Sequence, residues 1–133
     1  MDPVANRLES AGLGITRVSH ITLVTGNLER ASAFYEKLLG LQPIPRPDYD
    51  FAGAWYRCGD IEIHLILAEE YPRPSRRHIA FEVADFDRVI TSLDRERVRV
   101  ASGPGVRPHD GTRYVFVHDP DGNLIEIGRP GNA

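Results

Sequence analysis

From Thr16 to Val24 apolar and polar residues alternate with the period of two that marks a half-buried strand. Ile21 and Leu23 fall on one face; His20, Thr22 and Val24 fall on the other. The period then lengthens. Asn27 is placed to cap a helix running through Leu39, with Ala31, Phe34, Tyr35, Leu38 and Leu39 as its apolar stripe and Gly40 just past its end. Pro43, Pro45 and Pro47 forbid a regular central strand, so the pattern predicts a loop, or at best an edge strand, as far as Ala54. Two strands follow, Trp55–Cys58 and Ile61–Leu67, with Gly59 and Asp60 as the tight turn between them. In the second, Ile61, Ile63, Leu65 and Leu67 share one face, and Glu62, His64 and Ile66 share the other.

The same order then recurs. Val18-Ser19-His20-Ile21-Thr22-Leu23-Val24 is echoed by Arg77-His78-Ile79-Ala80-Phe81-Glu82-Val83, and the two histidines stand 58 residues apart. The offset persists without a gap, so that Leu28-Glu29-Arg30 falls on Phe86-Asp87-Arg88. A fixed period of this kind determines architecture before any other feature. In the second copy Ile79, Phe81 and Val83 face a core and His78, Ala80 and Glu82 oppose them. Asp85 caps a helix whose buried stripe is Phe86, Val89, Ile90 and Leu93. Val98–Val100 predicts a short strand, residues 102–112 a long loop, and Arg113–His118 with Leu124–Ile127 a hairpin across Asp119-Pro120-Asp121-Gly122-Asn123. The chain therefore reads as a single α+β domain over residues 1–133. Its first module spans about 16–67, its linker about 68–76 and its second module about 77–128, with residues 1–15 as an arm or loop.

A chain of 133 residues is long enough for one core, whereas either half alone would be marginal. The net charge of −3 argues against a general nucleic-acid surface. A single cysteine, Cys58, gives no internal disulfide and so no demand for an oxidising compartment. With no apolar run long enough for a membrane span and no apolar leader after Met1, the expectation is a cytoplasmic protein without a membrane partner.

Four residues carry the chemistry. His20 and His78 open the first strand of each half; His64 and Glu126 lie in the last. The separations within the halves are 44 and 48 residues, and the neighbours of all four point the other way along their strands. If the helices cover the apolar face, three imidazoles and a carboxylate project from the opposite one. That donor set suits a divalent ion such as Zn, Ni, Co, Fe(II) or Mn and leaves positions for water or substrate. A lone strand histidine is more often a hydrogen-bonded structural residue; three histidines and a glutamate at equivalent places with common parity point to a shared site. His109 and His118 have no counterpart in the repeat and read as loop or turn histidines. Thr22, on the His20 face, Trp55 as an apolar wall, and Arg107 and Arg113 as anion holders are the candidate substrate-binding residues.

In these residues, and above all in Phe34-Tyr35-Glu36-Lys37-Leu38-Leu39-Gly40-Leu41 and Phe116-Val117-His118-Asp119-Pro120-Asp121-Gly122-Asn123-Leu124-Ile125-Glu126, the chain resembles the vicinal oxygen chelate superfamily over roughly residues 16–128. That group includes glyoxalase I, methylmalonyl-CoA epimerase, extradiol dioxygenases, fosfomycin-resistance thiol transferases and bleomycin-binding proteins. The resemblance implies paired βαβββ modules forming a curved, cup-like mixed sheet with helices on the outer face, and a homodimer acting on a small-molecule substrate. It places His20, His78 and Glu126 on the common metal ligands, and His64 where glyoxalase I has a glutamate and the epimerases a glutamine. Glu126 is then ligand and base together. The implied function is a metal-dependent lyase or isomerase of the glyoxalase type. The alternatives are an extradiol-type dioxygenase, a fosfomycin-type thiol transferase, or a metal-free drug-binding protein of the bleomycin-resistance kind.

Overall fold

The computed structural model describes residues 12–70 and 73–131. The expected arm therefore lies outside the described residues over 1–11, as do two positions of the expected linker. In chain order the elements are β1 (His20–Thr25), α1 (Leu28–Ser32) with its π-helical continuation (Ala33–Leu38), β2 (Gln42–Ile44), β3 (Gly53–Cys58), β4 (Ile61–Leu67), β5 (His78–Glu82), α2 (Phe86–Arg95), β6 (Val100–Val106), β7 (Arg113–His118) and β8 (Leu124–Arg129). They build two four-stranded mixed sheets of identical plan, β1-β4-β3-β2 and β5-β8-β7-β6. In each, the first strand runs parallel to the last, and the other pairs are antiparallel. The expected pair of βαβββ modules is present.

Both helices begin where the sequence places their caps. The Asn27 side chain accepts from the Arg30 amide at 3.0 Å, and Asp85 from the Arg88 amide at 3.1 Å, each satisfying one orphan donor of a first turn. The first helix does not stay α-helical through Leu39. It widens into π geometry, closed by the Leu39 amide on the Phe34 carbonyl at 2.9 Å. A wider turn reduces the angle between successive side chains, and here Phe34 and Tyr35, adjacent in sequence, are both buried. The helices cover the apolar sheet faces: Ala31, Phe34 and Tyr35 pack with Tyr56, Ile63 and Leu65, and Phe86 and Leu93 with Val115, Val117, Ile125 and Ile127, in one continuous core.

Two stretches differ from the sequence pattern. Residues 100–106 are a strand, not the start of a long loop. This strand is the edge of its sheet, where proline is tolerated, and its pairing with β7 slips twice, between Val100 and Ser102 and between Ser102 and Gly105. The glycine there is required by close packing, since a Cβ on Gly105 would fall 2.7 Å from the Tyr114 hydroxyl. Pro43 sits in β2, the edge of the other sheet, as an edge strand permits.

The modules are tied by polar contacts as well as by the core. Tyr35, fully buried, donates its hydroxyl proton to Asp119 Oδ2 at 2.6 Å, across 84 residues of sequence. Asp119 in turn accepts from the amides of Asp121 and Asn123, both at 2.9 Å, and from Asn123 Nδ2 at 2.8 Å. The Gly26 amide reaches Asp121 Oδ1 at 3.0 Å. Burial, reinforced by the Asp119 carboxylate, pushes the Tyr35 phenol well above its ordinary range, so it remains a donor.

Candidate metal centre

The polar face opposite the helices gathers the four candidate donors in two pairs, one per sheet. In the first sheet Thr22 and Trp55 both stand beside His64 in the strand register. The rings of Trp55 and His64 stack at 3.9 Å between centroids and 3° between planes, and His20 covers the other face of His64 at 4.2 Å and 15°. His64 is buried by this sandwich, while His20 and Thr22 are exposed. His64 Nε2 lies 2.9 Å from Glu62 Oε1. That hydrogen bond is the main reason the Glu62 carboxyl is held below the usual carboxylate range, with the nearby charges of His64 and Arg57 acting in the same direction.

In the second sheet Ala80 and Phe116 flank Glu126 in the register, and His78 reaches Glu126 from the edge strand. His78 Nε2 is 3.0 Å from Glu126 Oε1, with the Phe116 ring edge-on at 5.1 Å. Arg107 Nη2 donates to Glu126 Oε2, and the Arg107 guanidinium lies over the Tyr114 ring at 5.2 Å. Glu126 is buried, with its side chain 7% exposed.

The tautomers differ in consequence. His78 Nδ1 is 2.8 Å from the Arg76 carbonyl oxygen, which can only accept, so Nδ1 carries a proton. In neutral His78 the lone pair is therefore on Nε2, pointing at a carboxylate oxygen. A second proton on the ring completes this contact as a charge-assisted hydrogen bond, and an ion held by both atoms would take that proton's place from the side. That separation is also the edge of an octahedral coordination sphere with bonds of about 2.1 Å. The pair fits a divalent ion.

The pair in the first sheet is arranged otherwise. His20 and His64 face one another, so their in-plane lone pairs run side by side and do not converge. Among the described residues no three His, Cys, Asp or Glu side chains come together as a metal-binding group. The structure thus brings His20 to His64 and His78 to Glu126, and does not bring the two pairs together within one chain. Of the candidate substrate residues, Thr22 and Trp55 share the face of His64, and Arg107 is engaged by Glu126. Arg113 does not reach this face. It alternates with Val115 and Val117, donates to Asp87 Oδ1 at 3.0 Å and lies over the Phe86 ring at 4.7 Å, on the helix-covered side. Glu62 was not among the candidate donors. The signal that would have found it is its parity with His64, two residues away on the same strand.

Comparison with known proteins agrees with the paired-module fold. A family model described as the Glyoxalase/Bleomycin resistance protein/Dioxygenase superfamily matches residues 17–127. The chain is 34% identical over 133 aligned residues to Glyoxylase I 4 of Arabidopsis thaliana, covering 90% of this chain and 75% of that protein. It is 32% identical over 122 residues to the lactoylglutathione lyase of Neisseria meningitidis serogroup A, covering 84% of this chain and 88% of the enzyme. The crystal structure of a glyoxalase family protein from Bacillus anthracis superposes with a TM-score of 0.76 at 30% identity, over 87% of this chain and 96% of that one.

Proposed function

The chain belongs to the glyoxalase/bleomycin resistance protein/dioxygenase superfamily, and from that premise we propose that it is a divalent-metal-dependent lyase or isomerase of the glyoxalase I type, acting on the adduct of a 2-oxoaldehyde with a thiol. The observation that carries this reading is the His78–Glu126 pair, whose Nε2 and Oε1 face each other at 3.0 Å with Nδ1 already committed to a backbone carbonyl. The names of the relatives in Arabidopsis and Neisseria support the reaction class.

His20, His64, His78 and Glu126 would hold the ion, which supplies Lewis-acid polarisation of neighbouring substrate oxygens. The remaining chemistry falls to the protein. A Glu126 oxygen takes the proton from the carbon bearing the thioether and returns it to the adjacent carbonyl carbon, while the hydroxyl proton passes from the first carbon's oxygen to the second's, so that the hydroxy thioether becomes a hydroxy thioester with no external oxidant. Arg107 keeps that carboxylate oriented through its other oxygen. The Trp55 ring forms an apolar wall beside His64, and Thr22 offers a hydroxyl on the same face.

The two modules act as one domain, supported by their shared core and the Tyr35–Asp119 bond. The full donor set is assembled between two copies of the chain, a reading supported by the two pairs that do not meet among the described residues of one copy. Exposed apolar side chains suited to burial in a dimer include Leu13, Ile15 and Val106, at 81%, 82% and 63% exposure. Metal-stripped protein reconstituted with Zn, Ni, Co, Mn or Fe(II) tests the reading. Turnover of a methylglyoxal–thiol hemithioacetal with at least one of them is the expected result, alongside a dimer binding two ions. Absence of turnover with all five and several thiols overturns it.

A further inference from the structure

A row of rings runs from an exposed loop to the polar face of the first sheet. Phe51 stacks on Tyr49 at 5.1 Å between centroids and 8° between planes, Tyr49 stands 6.3 Å from Trp55, and Trp55 lies against His64 at 3.9 Å. The loop, residues 45–52, joins β2 to β3. Its own side chains hold it in one shape. The Arg46 guanidinium lies over both the Tyr49 and the Phe51 rings, each at 4.9 Å, and its Nη2 donates to the Phe51 carbonyl at 2.8 Å. The Leu67 amide donates to the Ala52 carbonyl at 2.9 Å and ties the end of the loop to β4. Pro45 and Pro47 restrict the backbone further. A loop fixed in this way loses little entropy when a ligand settles on it. Yet Tyr49 and Phe51 remain 45% and 42% exposed. Two stacked exposed rings continuous with a polar site form a patch, unlike apolar residues scattered singly.

We propose that Tyr49, Phe51 and Trp55 form a specificity-determining subsite that stacks a neutral, flat aryl group on the oxoaldehyde part of the substrate. This names the substrate class of the lyase reading above and rests on it. The chemistry of the loop selects the group. Its rings offer faces for offset or edge-on stacking, and Asp48 and Asp50 beside them disfavour an anion. Arg46, already engaged by the rings and by a carbonyl, serves to position the loop. The corresponding connection of the second module, residues 107–112, contains no aromatic residue, so the subsite belongs to the first module alone.

Trp55 is the only tryptophan of the chain, which gives a readout that needs neither metal nor turnover. In the full-length wild type, 4-nitrobenzyl alcohol should quench Trp55 fluorescence saturably, whereas free N-acetyltryptophanamide should show only linear, collisional quenching. Benzyl alcohol should compete, and cyclohexylmethanol at the same concentration should not. Tyr49→Ala and Phe51→Leu should each weaken this binding by about 3- to 10-fold. On the reconstituted enzyme, kcat/KM for the phenylglyoxal–thiol adduct should exceed that for the methylglyoxal adduct, and each variant should lower the ratio by the same factor. Both positions are exposed, so the variants should fold, which circular dichroism checks. Linear quenching in the wild type, or a ratio that neither variant moves, overturns the subsite and leaves the lyase reading standing. Absence of turnover with either adduct overturns the lyase reading and the substrate named here together, and the fluorescence then shows separately whether the rings bind an aryl group.

Discussion

In the first half of the molecule a buried imidazole lies between two rings and gives its proton to a carboxylate; in the second, an exposed imidazole has its proton on a backbone carbonyl and aims a lone pair at a carboxylate. Strand order, parity and the register of the parallel strand pair are the same in both. So is the chemistry of the trio, an arginine, a glutamate and a histidine: Arg57, Glu62 and His64 in one, Arg107, Glu126 and His78 in the other. What differs is where the ring proton goes, and that decides whether the pair is satisfied. His64–Glu62 is complete as a neutral hydrogen bond, whereas His78–Glu126 is complete only with an added cation. A duplicated scaffold can thus arrange its two histidine–glutamate pairs differently with no change in topology.

The contrast can be broken most severely at Glu126. Glu126→Gln removes both the charge that calls for a cation and the base. Turnover should fall by about 10²- to 10⁴-fold, measured as kcat/KM on the reconstituted enzyme. Retention of full activity would mean that the two halves are not chemically distinct. Next is the bond that makes the halves one unit. Tyr35→Phe should cost about 1.5–3 kcal/mol of stability in urea, because it removes a buried hydrogen bond to a charged acceptor. The loss should appear in a single transition, and two separate transitions would show the modules unfolding apart.

The same phenol gives a pH signature. Its folded pKa is raised, so its contribution is fully present below the unfolded value near 10 and is lost as pH rises past it. Wild-type stability should fall by about 1.4 kcal/mol per pH unit in that alkaline range from this group, a slope that Tyr35→Phe removes. A smaller effect is expected at Arg107. Arg107→Ala takes away the guanidinium that competes for Glu126, and divalent binding should tighten by about 1 kcal/mol, roughly fivefold, by calorimetry. Unchanged or weaker binding would mean that the arginine supports the site more than it competes with it. Smallest of all, Arg113→Ala should leave metal affinity and KM unchanged and cost less than about 1 kcal/mol in stability, as exposed ion pairs do.

Much of this was legible along the chain. The 58-residue echo, the caps at Asn27 and Asp85 and the parity of the strands fixed two modules and the face on which His20, His64, His78 and Glu126 stand. Parity also put Glu62 on the His64 face, though Glu62 was not a candidate donor, and it puts Arg113 with Val115 and Val117 on the apolar one. The strand at 100–106 was hidden because Gly103, Pro104 and Gly105 have the composition of a loop, and only its place at a sheet edge makes pairing with slips possible.

Periodicity is a local property, written into the order of residues, and so by itself the sequence determined the repeat, most of the elements and the side of each sheet that bears the donors. Contacts between residues distant in the chain are not local. The tertiary structure alone decided that the buried Tyr35 meets Asp119 across the modules, that His20 closes over His64, and that His78 gives one nitrogen to a carbonyl and turns the other to Glu126. Those are matters of distance and direction between groups, which no local pattern carries.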